Sequence, residues 1–144
     1  MGYRIACLYR MAHRYLDREL EPYGLGNGTY AFLMRLLHQD GINQNVLSNL
    51  VHTDKANTAR AVRKLMRLGY VRRERSSDDR RAYALYVTDR ARDIEDEIQA
   101  ILKSWTVILT CSMDHTSQET ARTLLGIMIK NASNYFENQH ETER

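Results

Sequence analysis

Between residues 43 and 88 the hydrophobic period changes, and that change limits the possible folds more than any other feature of the chain. Two amphipathic segments, 43–52 and 54–68, carry apolar residues at helical spacing. Gly69 follows the last periodic residue, the usual place for a glycine that ends a helix. Two short runs rich in tyrosine and valine come next, 70–75 and 82–87, separated by the polar hexapeptide 76–81. Helix, turn, helix, strand, turn, strand is the order of a winged helix-turn-helix, and it makes duplex DNA the first partner to consider.

Charge points the same way. From Asp54 to Arg81 there are ten Lys or Arg and four acids, a net +6, whereas the whole chain is +3 and everything outside that stretch therefore sums to −3. Positive charge gathered in one module is the electrostatic footprint of phosphate binding. A solvated charged face is the plainer reading, and the helix-turn-helix context weighs against it.

The flanks read as helix. A single proline, Pro22, among 43% apolar residues leaves few breakers. A first helix over about 3–20 has Ile5, Leu8, Ala12, Leu16 and Leu20 on one stripe, and stops before Pro22 and the glycines at 24, 26 and 28. A second, about 29–38, carries Tyr30, Phe32, Leu33, Leu36 and Leu37. Asn43 suits the N-cap of a third, whose core face is Val46, Leu47, Leu50 and Val51. Thr88 caps a long fifth helix reaching about Cys111, with Ile94, Ile98, Ile101, Trp105 and Ile108 along a heptad-like seam. Thr116 and Glu119 fit a capping box for a sixth helix ending near Glu137, whose apolar set is Leu124, Leu125, Ile127, Met128, Ala132, Tyr135 and Phe136. The tail 138–144 is polar and expected to fray.

The expected fold is therefore mainly α, in the order α-α-α-α-β-β-α-α. It is one domain over 1–144, with its DNA-binding part at 41–88. The outer helices, 1–22 and 110–144, carry more apolar surface than one wing module covers and form a dimerisation region. There Ile5, Leu8, Leu16, Met128 and Tyr135 are expected to be buried mainly by a twin chain.

In the fourth helix Thr58, Ala61, Val62 and Leu65 recur at i, i+3, i+4 and i+7, so Ala56, Asn57, Ala59, Arg60, Arg63 and Lys64 point away from the core. Residues near the N-terminus of a recognition helix read bases, which makes Asn57 a candidate for adenine and Arg60 for guanine. Lys55, Arg63 and Lys64 fit phosphate contacts. The wing strands offer Tyr83, Leu85 and Val87 on one face. At the tip, Asp79-Arg80-Arg81 places Arg81 to enter a narrow minor groove with Asp79 orienting its guanidinium; a surface ion pair on a hairpin is the alternative.

Taken together, these stretches resemble the MarR family of bacterial and archaeal transcription regulators over nearly the whole chain. The resemblance lies in residues 41–48, which include Gln44, in 54–60, in Leu65, in Leu68-Gly69-Tyr70-Val71, and in Asp79-Arg80-Arg81 with Leu85, Val87 and Thr88, the family's D-x-R…LT signature. It implies an obligate homodimer on palindromic double-stranded operators. It also implies a regulator that usually represses and is released by a small aromatic ligand, a metal or oxidation. Gln44 and Ala56 join the DNA-facing set on these grounds, as does Arg80. An effector pocket is implied where the first, second and fifth helices meet the winged module, where this chain offers Tyr9, His13, Tyr30 and Arg35; completing the core and polar surface is their plainer role. Some relatives sense peroxide through a first-helix cysteine bonded by tyrosines, and Cys7 has Tyr3, Tyr9, Tyr15 and Tyr30 nearby in sequence. A free cysteine more often just packs. Two departures stand out. Ala56-Asn57-Thr58-Ala59-Arg60 replaces the usual Ser-Thr-x-Thr-Arg, so operator preference does not carry over, and the N-terminus begins at the first helix without an extension.

Other classes fare worse. The chain has no HExxH, phosphate-cradling glycine loop or nucleophile elbow, so it is not expected to be an enzyme. Histidines 13, 38, 52, 115 and 140 share no ligand spacing, so no metal or cofactor is expected. Ala6 at the sixth position argues against myristoylation of Gly2. Two cysteines without a CxxC, no signal-peptide pattern and no run of about 18 apolar residues indicate a cytoplasmic protein away from membranes. A winged helix that docks protein instead of DNA would expose apolar groups on the fourth helix, where this chain exposes Arg60 and Arg63.

Overall fold

In the computed structural model, which describes residues 1–75 and 83–142 (at 137 and 139–142 only the backbone), α1 spans Gly2–Leu20. It passes into a 3₁₀ turn, Glu21–Tyr23, that carries Pro22 in its first positions. Helix α2 is Thr29–His38, α3 is Gln44–Leu50 and α4 is Lys55–Arg67; the hairpin strands are β1 (Val71–Arg75) and β2 (Tyr83–Val87). Two compact units result, Met1–Trp105 and Thr106–Arg144.

The first unit is held by a leucine-rich core. Leu20, Leu25, Leu33, Leu36, Leu47, Leu65, Leu85 and Ile98 are all sealed from solvent. Each such side chain stabilises the fold by about 1.5–3 kcal/mol relative to exposure. Leu16 belongs to this core at 4% exposure, which corrects its assignment to a dimer contact: α1 turns its C-terminal half, not its whole length, into the chain's own interior. Ile5 and Leu8 stay 47% exposed. Val46 also points outward at 38%, and Ser48 takes the buried place beside Leu47.

Helix ends follow from local chemistry. The Asn43 side chain accepts from the Val46 N–H at 2.9 Å, and Asp54 accepts from the Asn57 N–H at 2.7 Å. Helix α4 closes with Gly69 at φ +78°, where the Gly69 N–H donates to Met66 O and the Tyr70 N–H to Leu65 O, the paired bonds of a Schellman end. Thr88 caps the next helix as expected, through Ala91 N–H at 3.4 Å, and its hydroxyl also donates to Gly69 O at 2.7 Å. The long fifth helix is nevertheless two: α5 (Asp89–Asp93) breaks at Ile94 and α6 (Glu95–Thr110) follows. Ile98 is buried, Ile94, Ile101 and Trp105 pack against the core, and Ile108 is exposed, so the seam serves the core as far as Trp105.

The strands pair antiparallel from Val71↔Val87 to Arg75↔Tyr83. Leu85 and Val87 are buried as the alternation predicts, but Tyr83 is 42% exposed and Ala84, on the other face, is buried. Residues before α3 add a third rung that the sequence pattern did not reveal. The Leu85 N–H donates to Ile42 O at 2.8 Å and the Gly41 N–H to Leu85 O at 2.9 Å. Asp40 ties this corner together: its Oδ1 accepts from the Val87 N–H at 2.9 Å and the Gly41 N–H at 3.1 Å, while Oδ2 meets the Arg92 guanidinium at 3.2 Å.

In the second unit α7 runs His115–Thr142, past Glu137 and through much of the tail expected to fray. Its cap is Asp114, not Thr116: the Asp114 carboxylate accepts from the Ser117 N–H at 2.8 Å. Bonds to the Ser117 hydroxyl and N–H hold that carboxyl below its usual range. Leu124, Leu125, Ile127, Ile129, Tyr135 and Phe136 are each 48–63% exposed, and Met128 is half-buried.

Candidate nucleic-acid interface

The turn between α3 and α4 is locked from inside. The Ser48 hydroxyl donates to Thr53 O at 2.7 Å, the Asn57 amide donates to Thr53 Oγ1 at 3.0 Å, and the fully buried Thr58 hydroxyl donates to Asp54 O at 2.9 Å. His52 sits in this turn at φ +54°, a left-handed conformation that residues other than glycine seldom adopt. With Thr58, Ala61, Val62 and Leu65 all in the core, the orientation of α4 about its axis is set.

That orientation leaves Lys55, Ala56, Arg60 and Arg63 exposed on one side, together with Arg67. Helix α4 contains no acidic residue, and among the described residues no carboxylate pairs with Lys55, Arg60, Arg63 or Arg67. Their donors face water. Three of the expected outward residues differ. Lys64 is half-buried and its Nζ reaches Gly26 O at 3.5 Å, so it braces the loop before α2. Asn57 is half-buried and has one amide donor engaged by Thr53. Ala59 is half-buried too. Gln44, on the first turn of α3, is half-buried. The wing-tip candidates Asp79, Arg80 and Arg81 lie outside the described residues.

The structure brings Tyr9, His13 and Tyr30 into one neighbourhood. The Tyr9 and His13 rings meet edge to face at 4.4 Å, and His13 Nδ1 lies 3.9 Å from Asp17 Oδ2. Asp17 Oδ1 accepts from the Asn27 N–H at 2.6 Å, which fastens the glycine loop to α1. Burial, then the Asp17 carboxylate and Tyr9, push the Tyr30 phenol above its ordinary pKa. Arg35 is exposed on α2 and has no described bond to this group. Cys7 is half-buried, and its Sγ accepts from Arg10, not from a tyrosine, at 3.3 Å. Among the described residues no three His, Cys, Asp or Glu side chains cluster as a metal site requires.

Sequence reasoning passed over Asp40 and the hairpin contacts of Arg72 with the Tyr86 ring and Arg73 with the Tyr83 ring. An acid just before a glycine carries no periodic signal, and the cross-strand neighbours depend on register.

A capped helix-turn-helix followed by a two-stranded wing with a third rung defines a winged helix-turn-helix protein. The MarR family model matches residues 27–83. A MarR transcriptional regulator from Methanosarcina mazei Go1, known from its crystal structure, is 40% identical, covering 93% of this chain and 96% of its own, with a TM-score of 0.86. The HTH-type transcriptional regulator BilQ of Clostridioides difficile (strain CD3) is 28% identical over 131 residues, 91% of this chain and 84% of its own. A Listeria monocytogenes protein crystallised with 26mer DNA is alike in fold, with a TM-score of 0.88 at 16% identity over 93% of this chain and 89% of its own. The chain belongs to the MarR family. It is a transcriptional regulator and not an enzyme.

Proposed function

We propose that this regulator binds double-stranded, palindromic operator DNA as a homodimer, represses transcription in the cytoplasm, and lets go when a small aromatic ligand binds. The observation that supports it best is the exposed side of α4, where Lys55, Arg60 and Arg63 stand beside Ala56 with no acid on the helix. A helix offering apolar groups to a protein partner would look different, and the largest apolar side chain exposed here is Met66 at 39%. Two further features fit. Apolar side chains on the first half of α1 and along α7 await cover, which a twin would provide, and no described helix is long and apolar enough to cross a membrane. For the ligand, the Tyr9–His13–Tyr30 neighbourhood supplies aromatic faces beside a carboxylate.

An effector acts only by binding more tightly to the dimer whose recognition helices are misspaced. Anisotropy of labelled DNA selected from a random pool tests the reading. Arg60→Ala is expected to cost about 1–3 kcal/mol of affinity and relax preference at one position, with unchanged melting temperature. Arg81→Ala should likewise weaken binding without unfolding. Titrating salicylate-like aromatics should release the DNA; release by peroxide that vanishes in Cys7→Ser would move control to Cys7. Absence of sequence preference in the selected pool would reject the operator reading.

A further inference from the structure

Two neighbouring arginines on β1 are held in different ways, and the difference supports an inference that rests on the DNA-binding reading. Arg72 Nη1 donates to Glu74 Oε1 at 2.7 Å, and its guanidinium lies 5.1 Å from the Tyr86 ring centroid. A carboxylate two residues away thus compensates its charge. Arg73 lies closer over its ring, 4.2 Å from the Tyr83 centroid, and no described carboxylate pairs with it. A ring face restrains a guanidinium without consuming the N–H donors around its edge. Arg73 is therefore ordered and still open to an anion.

Register places it. Side chains alternate along each strand, so Val71, Arg73, Arg75, Tyr83, Leu85 and Val87 share one face of the hairpin. Near the root this face is core: Val71, Leu85 and Val87 are buried in the same cluster as Leu65 of α4. Further out it surfaces at Arg73, Arg75 and Tyr83. Arg73 thus stands just past the edge of the core, on the side of the wing that packs on the helical body.

We infer that Arg73 is a phosphate-contacting residue of the wing and that Tyr83 is a positioning residue holding its guanidinium ready, while Arg72 is neutralised by Glu74 and takes no part. A planar guanidinium matches two phosphate oxygens, and ordering it beforehand lowers the entropy lost on binding. Such a contact adds affinity without reading sequence.

Because phosphate contacts are blind to sequence, a mixed-sequence duplex of about 25 base pairs serves as the probe, long enough for two half-sites a turn apart. Its dissociation constant is measured by anisotropy between about 50 and about 200 mM salt for the full chain and four variants. Arg73→Ala should flatten the log–log salt slope by about 0.9 for each wing in the complex, an affinity loss across that range about 3.5-fold smaller per wing. Arg72→Ala should leave the slope unchanged. Tyr83→Leu should weaken binding several-fold while Tyr83→Phe, which keeps the ring, restores it; melting temperatures check that each variant is folded. An unchanged slope in Arg73→Ala, or equal slope losses in Arg72→Ala and Arg73→Ala, would overturn the inference. So would a Tyr83→Phe as weak as Tyr83→Leu. Wild-type protein with no salt-dependent duplex binding would instead reject the DNA-binding reading on which the inference stands.

Discussion

At the scale of single residues, the side chains that matter most here are polar groups whose partners are far away in sequence. Asp40 closes the corner between α2, the wing root and α5 through the Val87 and Gly41 amides and Arg92. Asp40→Ala would strand the Val87 N–H, and about 1–3 kcal/mol of stability should go with it. Chemical denaturation measures the loss. Tyr30 makes a prediction in pH. Its phenol pKa is raised in the folded chain, chiefly by burial and then by Asp17 and Tyr9, so the native state keeps this proton after the unfolded chain has released it. The stabilisation is complete below about pH 10 and is lost as pH rises through the higher folded value. Tyr30→Phe should therefore lose less stability than wild type between about pH 9 and about pH 11. Equal losses in urea midpoints would show that Tyr30 does not titrate late.

At the scale of elements, glycines set where helices stop and what may approach them. Gly69 ends α4 at φ +78°, and a Cβ there would meet only the flexible Arg90 side chain, no nearer than 3.7 Å, so space is not the constraint. Gly69→Ala should cost about 1–2 kcal/mol, from backbone conformation alone. Gly41 also has positive φ, but a Cβ there would come within 3.1 Å of Tyr86 Cε1. Gly41→Ala should be the costlier change in the same denaturation assay, since it displaces a wing side chain as well. The legible parts of these elements were those written locally. Asn43, Gly69 and Thr88 mark helix boundaries by chemistry that acts within a few residues. The break at Ile94 and the Asp114 cap were not legible. The apolar period runs through Ile94 unbroken, and Thr116–Glu119 offered a competing cap two residues on.

At the scale of the whole molecule, the apolar side chains of the outer helices separate into those the chain covers itself and those it leaves open. Leu16 is core, so Leu16→Ala should cost about 2–5 kcal/mol of intrinsic stability. Ile5 and Leu8 are half exposed, and in the proposed homodimer a double change to aspartate should instead lower the mass seen by sedimentation from twice 16.8 kDa toward one chain. Wild-type melting temperature should rise with protein concentration, as it does when folded subunits associate. A wild-type protein that sediments as one chain at micromolar concentration would exclude the homodimer.

The sequence by itself determined what acts at short range: a mainly helical chain, the helix-turn-helix with its caps, the hairpin after Gly69, the buried stripe of α4 and its basic outer side. Periodicity and capping are properties of a few adjacent residues, so they survive without knowledge of the fold. Only the tertiary structure decided that α1 buries Leu16 but not Ile5, that Lys64 turns back to Gly26, that residues 41–42 add a rung to the wing, and that Glu74 pairs with Arg72 while no described carboxylate pairs with Arg73. Each of these depends on which distant surface a helix meets or on strand register, and a stripe of apolar residues reads the same whether its own chain or another covers it.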